Sequence, residues 1–140
     1  MKIVLCGSMS SAKRMTEIET ELKKSGHEVI LPKNAREYAN GDLAPESSHE
    51  STQNKIAGDL IRDYYEKIKA ADAVLIVNET KKGIKNYIGG NAFLELGYGH
   101  ALNKKTFILN GIPDMPYTDE ILAMQPILLN GDLSIIGATA

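Results

Sequence analysis

The sequence predicts an α/β protein: one Rossmann-like or flavodoxin-like domain over residues 1–140, with a five-stranded parallel sheet and helices on both faces. Three observations predict it. Short, nearly uninterrupted apolar runs recur along the chain, such as Lys2–Cys6 and Ala73–Val77, as expected of strands covered on both faces. Segments with apolar residues three and four apart separate these runs, and strands alternating with helices imply parallel pairing through right-handed crossovers. Finally, 140 residues suit one core better than two.

Taken in order, KIVLC (Lys2–Cys6) ends at Gly7 and reads as the first strand. Ser10 or Ser11 is positioned to cap a helix in which Met15, Ile18 and Leu22 form the apolar stripe, and Gly26 stops it. Glu28–Leu31 is the second strand, closed by Pro32. Residues 33–53 are rich in Asn, Gly, Ser and Thr and show little apolar periodicity. An irregular stretch of that length in a compact domain is usually functional or mobile. It is expected to be an active-site lid, the alternative being a surface insertion without a role. From Ile56 onward Leu60, Ile61, Tyr64, Tyr65 and Ile68 mark a second helix. Ala73–Val77 is the third strand, Asn91–Leu102 the third helix and Thr106–Leu109 the fourth strand. A short helix over Thr118–Met124 and a fifth strand over Pro126–Leu129 complete the pattern.

Composition narrows the function. A net charge of −2 gives no general basic field for polymeric nucleic acid or an anionic membrane. No apolar run approaches the ~20 residues of a membrane span, and the apolar stretch at the N-terminus is too short for a signal sequence. The single cysteine, Cys6, excludes an intramolecular disulfide and suits a cytoplasmic setting. It ends a buried strand and reads as a small core residue. His27, His49 and His100 have no partners at ligand spacing, so neither a metal nor another cofactor is expected. His49, inside the expected lid, is a candidate acid or base.

In open α/β sheets ligands bind beyond the carboxyl ends of the strands. Those ends carry Gly7-Ser8-Met9-Ser10, Asn78 and Asn110-Gly111. A Gly-Ser-x-Ser turn entering a helix offers backbone N–H groups and hydroxyls to a phosphate or ribose oxygen; it is also ordinary tight-turn chemistry. Glu95 is more specific. It is the only charged side chain between Lys85 and Lys104, within GGNAFLELGYGHAL, and a carboxylate there is costly to bury without a reason. Just past the first helical turn, its ionised form is favoured by the helix dipole. It reads either as a nucleophile for an anomeric carbon or as a residue that merely satisfies the dipole. Gly89 and Gly90 allow a sugar close to the backbone, and Tyr87 and Tyr98 offer faces on which a base stacks. Gly97 and Gly99 weaken the helix unless close packing on the sheet or on a partner subunit offsets the loss.

Three segments together carry a family resemblance: K-I-V-L-C-G-S-M near the start, A-D-A-V-L-I-V-N in the middle, and A-F-L-E-L-G-Y-G-H-A-L-N-K-K after a glycine-containing loop. From residue 2 to about residue 110 the chain resembles a divergent member of the nucleoside 2-deoxyribosyltransferase superfamily, which includes the deoxynucleoside 5′-monophosphate N-glycosidases. The sharpest part is Glu95–Tyr98. The resemblance implies that Glu95 attacks C1′ of a (deoxy)nucleoside or its 5′-monophosphate. The base is expelled, and the sugar passes to another base or to water. It places Gly7, Ser8, Met9 and Ser10 near the sugar or its 5′ group, and Gly89 near the 5′ oxygen or phosphate. Asn78, Gly90 and Tyr98 complete the expected substrate contacts. Transferases of this group carry an acid six positions before the nucleophile, where this chain has Gly89. Asn91, and Asp63 in the preceding helix, are the candidate catalytic partners that remain. Ser10 stands where the monophosphate glycosidases have an arginine, which leaves Lys13 as the candidate phosphate partner. The alternative is a catalytically inactive nucleotide-binding sensor of the same fold. A homo-oligomer is expected, built through the third helix and the apolar stretch Pro126–Ile136. The only other partner expected is a nucleoside or nucleotide small molecule.

Overall fold

The strands lie side by side in the order β2-β1-β3-β4-β5, all parallel. They are β1 (Lys2–Cys6), β2 (Glu28–Ile30), β3 (Ala73–Ile76), β4 (Lys105–Ile108) and β5 (Ile127–Leu128). The computed structural model describes residues 1–43, 53, 56 and 59–138. Its sheet order is that of doubly wound, flavodoxin-like folds. The chain leaves β1 to one side to form β2, then returns past it to form β3. The crevice at the ends of β1 and β3 therefore lies where the winding reverses.

A 3-10 turn (Met9–Ser11) runs into α1 (Ala12–Lys24). The chain continues through α2 (Ala35–Ala39), α3 (Leu60–Lys69), α4 (Gly90–Ala101), α5 (Thr118–Ala123) and α6 (Ser134–Ala138). Alternation along β1 shows how the layers are specified: Ile3 and Leu5 join Met15, Ile18, Leu22 and Phe107 on one face. Val4 and Cys6 join Tyr64, Ile68, Ala92, Leu96 and Ile121 on the other. Every side chain of β3 is buried, in keeping with a central strand that reads as unbroken Ala-Val-Leu-Ile. Gly99 sets the depth of α4 on the sheet, since a Cβ there would lie 2.8 Å from Val74 Cγ2 and 3.3 Å from Thr106 Cγ2. Gly97 has no such role; a Cβ there meets nothing within 4 Å.

Four local expectations change. Ser11 precedes α1 but makes no side-chain capping bond; the capping hydroxyl is Ser8, whose Oγ accepts from the Ser10 N–H at 3.4 Å. The stretch expected to be irregular contains α2, fastened to α1 by Arg36, whose guanidinium donates to both carboxylate oxygens of Glu19 at 2.8 and 2.6 Å. Burial pushes the Glu19 carboxyl up, but hydrogen bonds from Arg36 and Lys23 outweigh it and hold it below its ordinary value. The rest of the expected lid, residues 44–52 with His49, lies outside the described residues. Ile56 is helical, but Asp59 adopts φ 48° and α3 begins after it. Leu129, Leu133 and Ile136, expected at an interface, are buried in the chain's own core because α6 folds onto the α1 face of the sheet. Among the described residues, no helix is long and apolar enough to cross a membrane.

Candidate functional site

Gly7 allows β1 to end close against β3. A Cβ there would lie 2.7 Å from Met15 Cε and 2.8 Å from the Val77 carbonyl oxygen. The next residue, Ser8, is extended, and its Oγ gathers donors: Ser10 Oγ at 3.0 Å and Lys81 Nζ at 2.5 Å. Lys81 arrives from the segment after β3. There Lys81 and Ile84 pair across a turn in which Lys82 and Gly83 adopt φ 54° and 74°. Burial, reinforced by the nearby charge of Lys82, lowers the Lys81 ammonium below its ordinary pKa. The Nζ atoms of Lys81 and Lys82 lie 6.0 and 5.8 Å from the centroid of the Tyr87 ring, within cation–π range. Gly7, Ser8, Ser10, Ser11, Glu79, Lys81, Tyr87 and Gly89 line the resulting depression.

The base of this flap is held by Asn78, which is fully buried. Its Nδ2 donates to the Asn86 and Gly111 carbonyls at 3.2 and 2.9 Å. Its Oδ1 accepts from the Asn110 N–H at 2.9 Å, and Asn110 Nδ2 donates back to the Asn78 carbonyl at 3.0 Å. The whole amide is used within the protein, so Asn78 shapes the crevice rather than lining it.

Glu95 is half-buried in the second turn of α4 and lines a second hollow with Leu60, Ile61, Asn91, Leu94 and Tyr98. Its carboxylate reaches the end of β1. Burial pushes the Cys6 thiol well above its ordinary value, and the charge of Glu95 and its hydrogen bond to the thiol push it further. Cys6 therefore remains a neutral S–H donor to a carboxylate. Tyr64, whose hydroxyl donates to the Leu5 carbonyl, is raised by burial first, then by Cys6, Glu95 and Asp63. Beside the hollow Tyr65 and Tyr98 meet edge to face, with centroids 5.2 Å apart. On its far side α5 is tied to the approach to α4: Phe93 stacks on Tyr117 at 4.4 Å, and the Tyr117 hydroxyl donates to the Ile88 carbonyl at 2.5 Å.

The fold thus gathers Glu95, Asn91 and Tyr98 in one hollow and Gly7, Ser8, Ser10 and Gly89 in the other. Both draw on the first turn of α4: Asn91 lines one and Ala92 the other. Gly90, exposed with open space around it, starts the helix between them. Met9 packs against the α1-side core. Asp63 is exposed on α3, pairs with Lys67 at 3.0 Å and lines neither hollow; Lys13 is exposed on α1 and lines neither. Lys81 and Glu79 are the residues that sequence reasoning missed. The signal for Lys81 was a Lys-Lys-Gly turn soon after a central strand. Among the described residues, no group of three or more His, Cys, Asp or Glu could hold a metal ion.

No protein-family model matches the sequence, and no curated protein matches it. Among solved structures, the chain is similar to the CMP N-glycosidase BcmB of Clostridium botulinum. The two are 18% identical and superimpose with a TM-score of 0.57 over 100% of both chains. The likeness is one of fold, along the whole length.

Proposed function

We propose that this chain cleaves or transfers at the N-glycosidic bond of a (deoxy)nucleoside or nucleoside 5′-monophosphate with Glu95 as nucleophile, as a divergent member of the nucleoside 2-deoxyribosyltransferase superfamily. The observation that carries the proposal is the position of Glu95: a half-buried carboxylate, hydrogen-bonded to a neutral thiol, at the crevice where the sheet's winding reverses. The helix dipole favours its ionised form, and a thiol that resists ionisation donates to it without taking its charge.

In the first step a Glu95 oxygen bonds to C1′ while the C1′–N bond breaks; its electron pair leaves with the base, which takes a proton from water. In the second, water or another base attacks C1′ and frees Glu95, and the two inversions restore the starting configuration. Asn91, an amide in the same hollow, orients but does not transfer protons. Tyr98 and the apolar side chains of Ile61 and Leu94 offer surface to the base, and Gly89 leaves room for the sugar. This chemistry needs no cofactor. The fold shared with BcmB, named as a CMP N-glycosidase, supports the reading. One domain over 1–140, a cytoplasmic setting and a lid from residues 33–53 belong to the same proposal. So does a homo-oligomer formed through the α3–α4 face.

The test is base release, followed by chromatography, from nucleosides and 5′-monophosphates in ribo and deoxy forms, with and without a second base. Glu95→Gln keeps the shape and removes the nucleophile, and is expected to slow release by at least about a thousandfold, of the order lost when an essential nucleophile is removed. Release at an undiminished rate would sink the proposal. Dependence on the second base separates transfer from hydrolysis.

A further inference from the structure

Two buried titratable side chains, Cys6 and Tyr64, lie against Glu95, and neither forms or breaks a bond in the proposed reaction. Their places differ. The Tyr64 hydroxyl is spent on the Leu5 carbonyl, so it pins β1 from α3. Cys6, next along the strand, is hydrogen-bonded to the Glu95 carboxylate. The sheet holds its thiol rigidly. Leu5 is tied to Tyr64 on one side, and the Cys6 carbonyl accepts from the Val77 N–H at 2.8 Å. Gly7, on the other side, is packed so closely that a Cβ there would lie 2.8 Å from the Val77 oxygen. Cys6 itself is wholly buried, with a single rotatable bond between backbone and sulfur. Glu95 is the opposite: half-buried on α4, with a long side chain rich in rotamers. A donor fixed in the sheet therefore restricts a carboxylate that its own backbone does not orient. The other titratable groups near it are Tyr64 and, beyond it, Asp63 on α3, and Tyr98 on its own helix.

We propose that Cys6 is a positioning residue: its S–H aims the Glu95 carboxylate at the anomeric carbon and stabilises the ionised form that attacks. The inference rests on the proposed function for what Glu95 attacks. A thiol is a weak donor, which suits the task. A hydrogen bond to a carboxylate favours its charged form, but a strong one would draw off the charge that makes it a nucleophile. The thiol keeps its proton through both steps.

The experiment measures base release against pH in wild type, Cys6→Ala and Cys6→Ser, after thermal unfolding has confirmed that each is folded. Glu95 must be ionised to attack, so kcat/KM falls as pH drops through its pKa. Cys6→Ala is expected to move that acidic limb up by about one pH unit, the scale of one hydrogen bond to a charged group. It is also expected to lower the plateau kcat at least about tenfold, with KM within about twofold. A carboxylate without its donor is more basic, which alone would speed attack, so a lower plateau isolates the lost aim. Cys6→Ser, which restores a donor, is expected to return the limb to its wild-type position. A limb and plateau unchanged in Cys6→Ala overturn the inference while leaving Glu95 as nucleophile. So does a Cys6→Ser protein that behaves like Cys6→Ala. A second readout needs no turnover. Cys6 is the only cysteine, so the infrared S–H stretch reports it alone. The band is expected at lower frequency in wild type than in Glu95→Ala, and to rise in wild type when acid protonates Glu95. A band that responds to neither change overturns the inference. If wild type releases no base, the proposed reaction fails and this band alone decides whether the thiol holds the carboxylate.

Discussion

Cys6 and Glu95 form a pair in which the carboxylate helps to hold the proton on the thiol. Burial and the neighbouring carboxylate keep the proton on the thiol, and Tyr64 beside them is raised in the same direction. The sign of the consequence follows. The folded state holds these two protons more tightly than the unfolded chain, so their stabilisation is complete below the ordinary thiol value of 9.0 and declines as pH rises beyond it. Melting temperature is therefore expected to fall on the alkaline side, and Cys6→Ala to fall less steeply there, as measured by thermal unfolding across pH. An equal decline in both proteins would dissociate Cys6 from the effect. The sequence marked Cys6 as a core residue and Glu95 as an isolated carboxylate, but that the two touch depends on how α4 crosses the end of β1, which no spacing along the chain encodes.

At the scale of the element, the two glycines of α4 look alike in sequence and differ in the fold. Replacing Gly99 by Ala adds a methyl 2.8 Å from Val74 Cγ2, so the helix must shift. The expected cost of roughly 1–3 kcal/mol from overpacking exceeds the ~1 kcal/mol of helix propensity gained. Gly97→Ala adds a methyl to open space and is expected to stabilise the chain by up to about 1 kcal/mol. Urea unfolding of the two variants should move the midpoint in opposite directions; movement the same way would contradict this reading. The main helices and strands were legible because each carries an apolar period that lasts across its length. α2 was not: at five residues it is too short for a period, and the Arg36–Glu19 pairing that holds it joins positions 17 apart. Lys81 was hidden for a similar reason. Its meeting with Ser8 spans 73 residues and depends on a flap folding back across two strand ends.

At the scale of the whole molecule, the parallel sheet and its alternating layers follow from sequence, because buried parallel strands leave little choice of face. The order β2-β1-β3-β4-β5 then decides where a site can form. It gathered Glu95, Asn91 and Tyr98 in one hollow and Gly7, Ser8 and Ser10 in another, while Asn78 became a brace and Asp63 stayed on the surface. The face away from the sheet tells about assembly. Ile61 and Leu94 are 44% and 43% exposed and flank the Glu95 hollow with Tyr98. This patch supports the proposed self-association, in which a second copy covers the apolar rim. Sedimentation at micromolar concentration is expected to give a mass that is a multiple of the 15.3 kDa chain. A single-chain mass would remove the oligomer from the proposal.

The brace at Asn78 has a consequence for how this site can change over generations. One amide closes the flap at its root, bonding Asn86 at the end of the excursion and Gly111 and Asn110 on the neighbouring strand's exit. The flap is thus fixed at its root, while Lys82 and Gly83 at its turn are exposed. Residues can be exchanged or inserted near Lys82 and Gly83, altering reach and charge, while the anchorage stays in place. The root itself has no such latitude, since any change there loosens two crossings at once. Sequence can therefore vary at the tip while the root at Asn78 keeps its bonds.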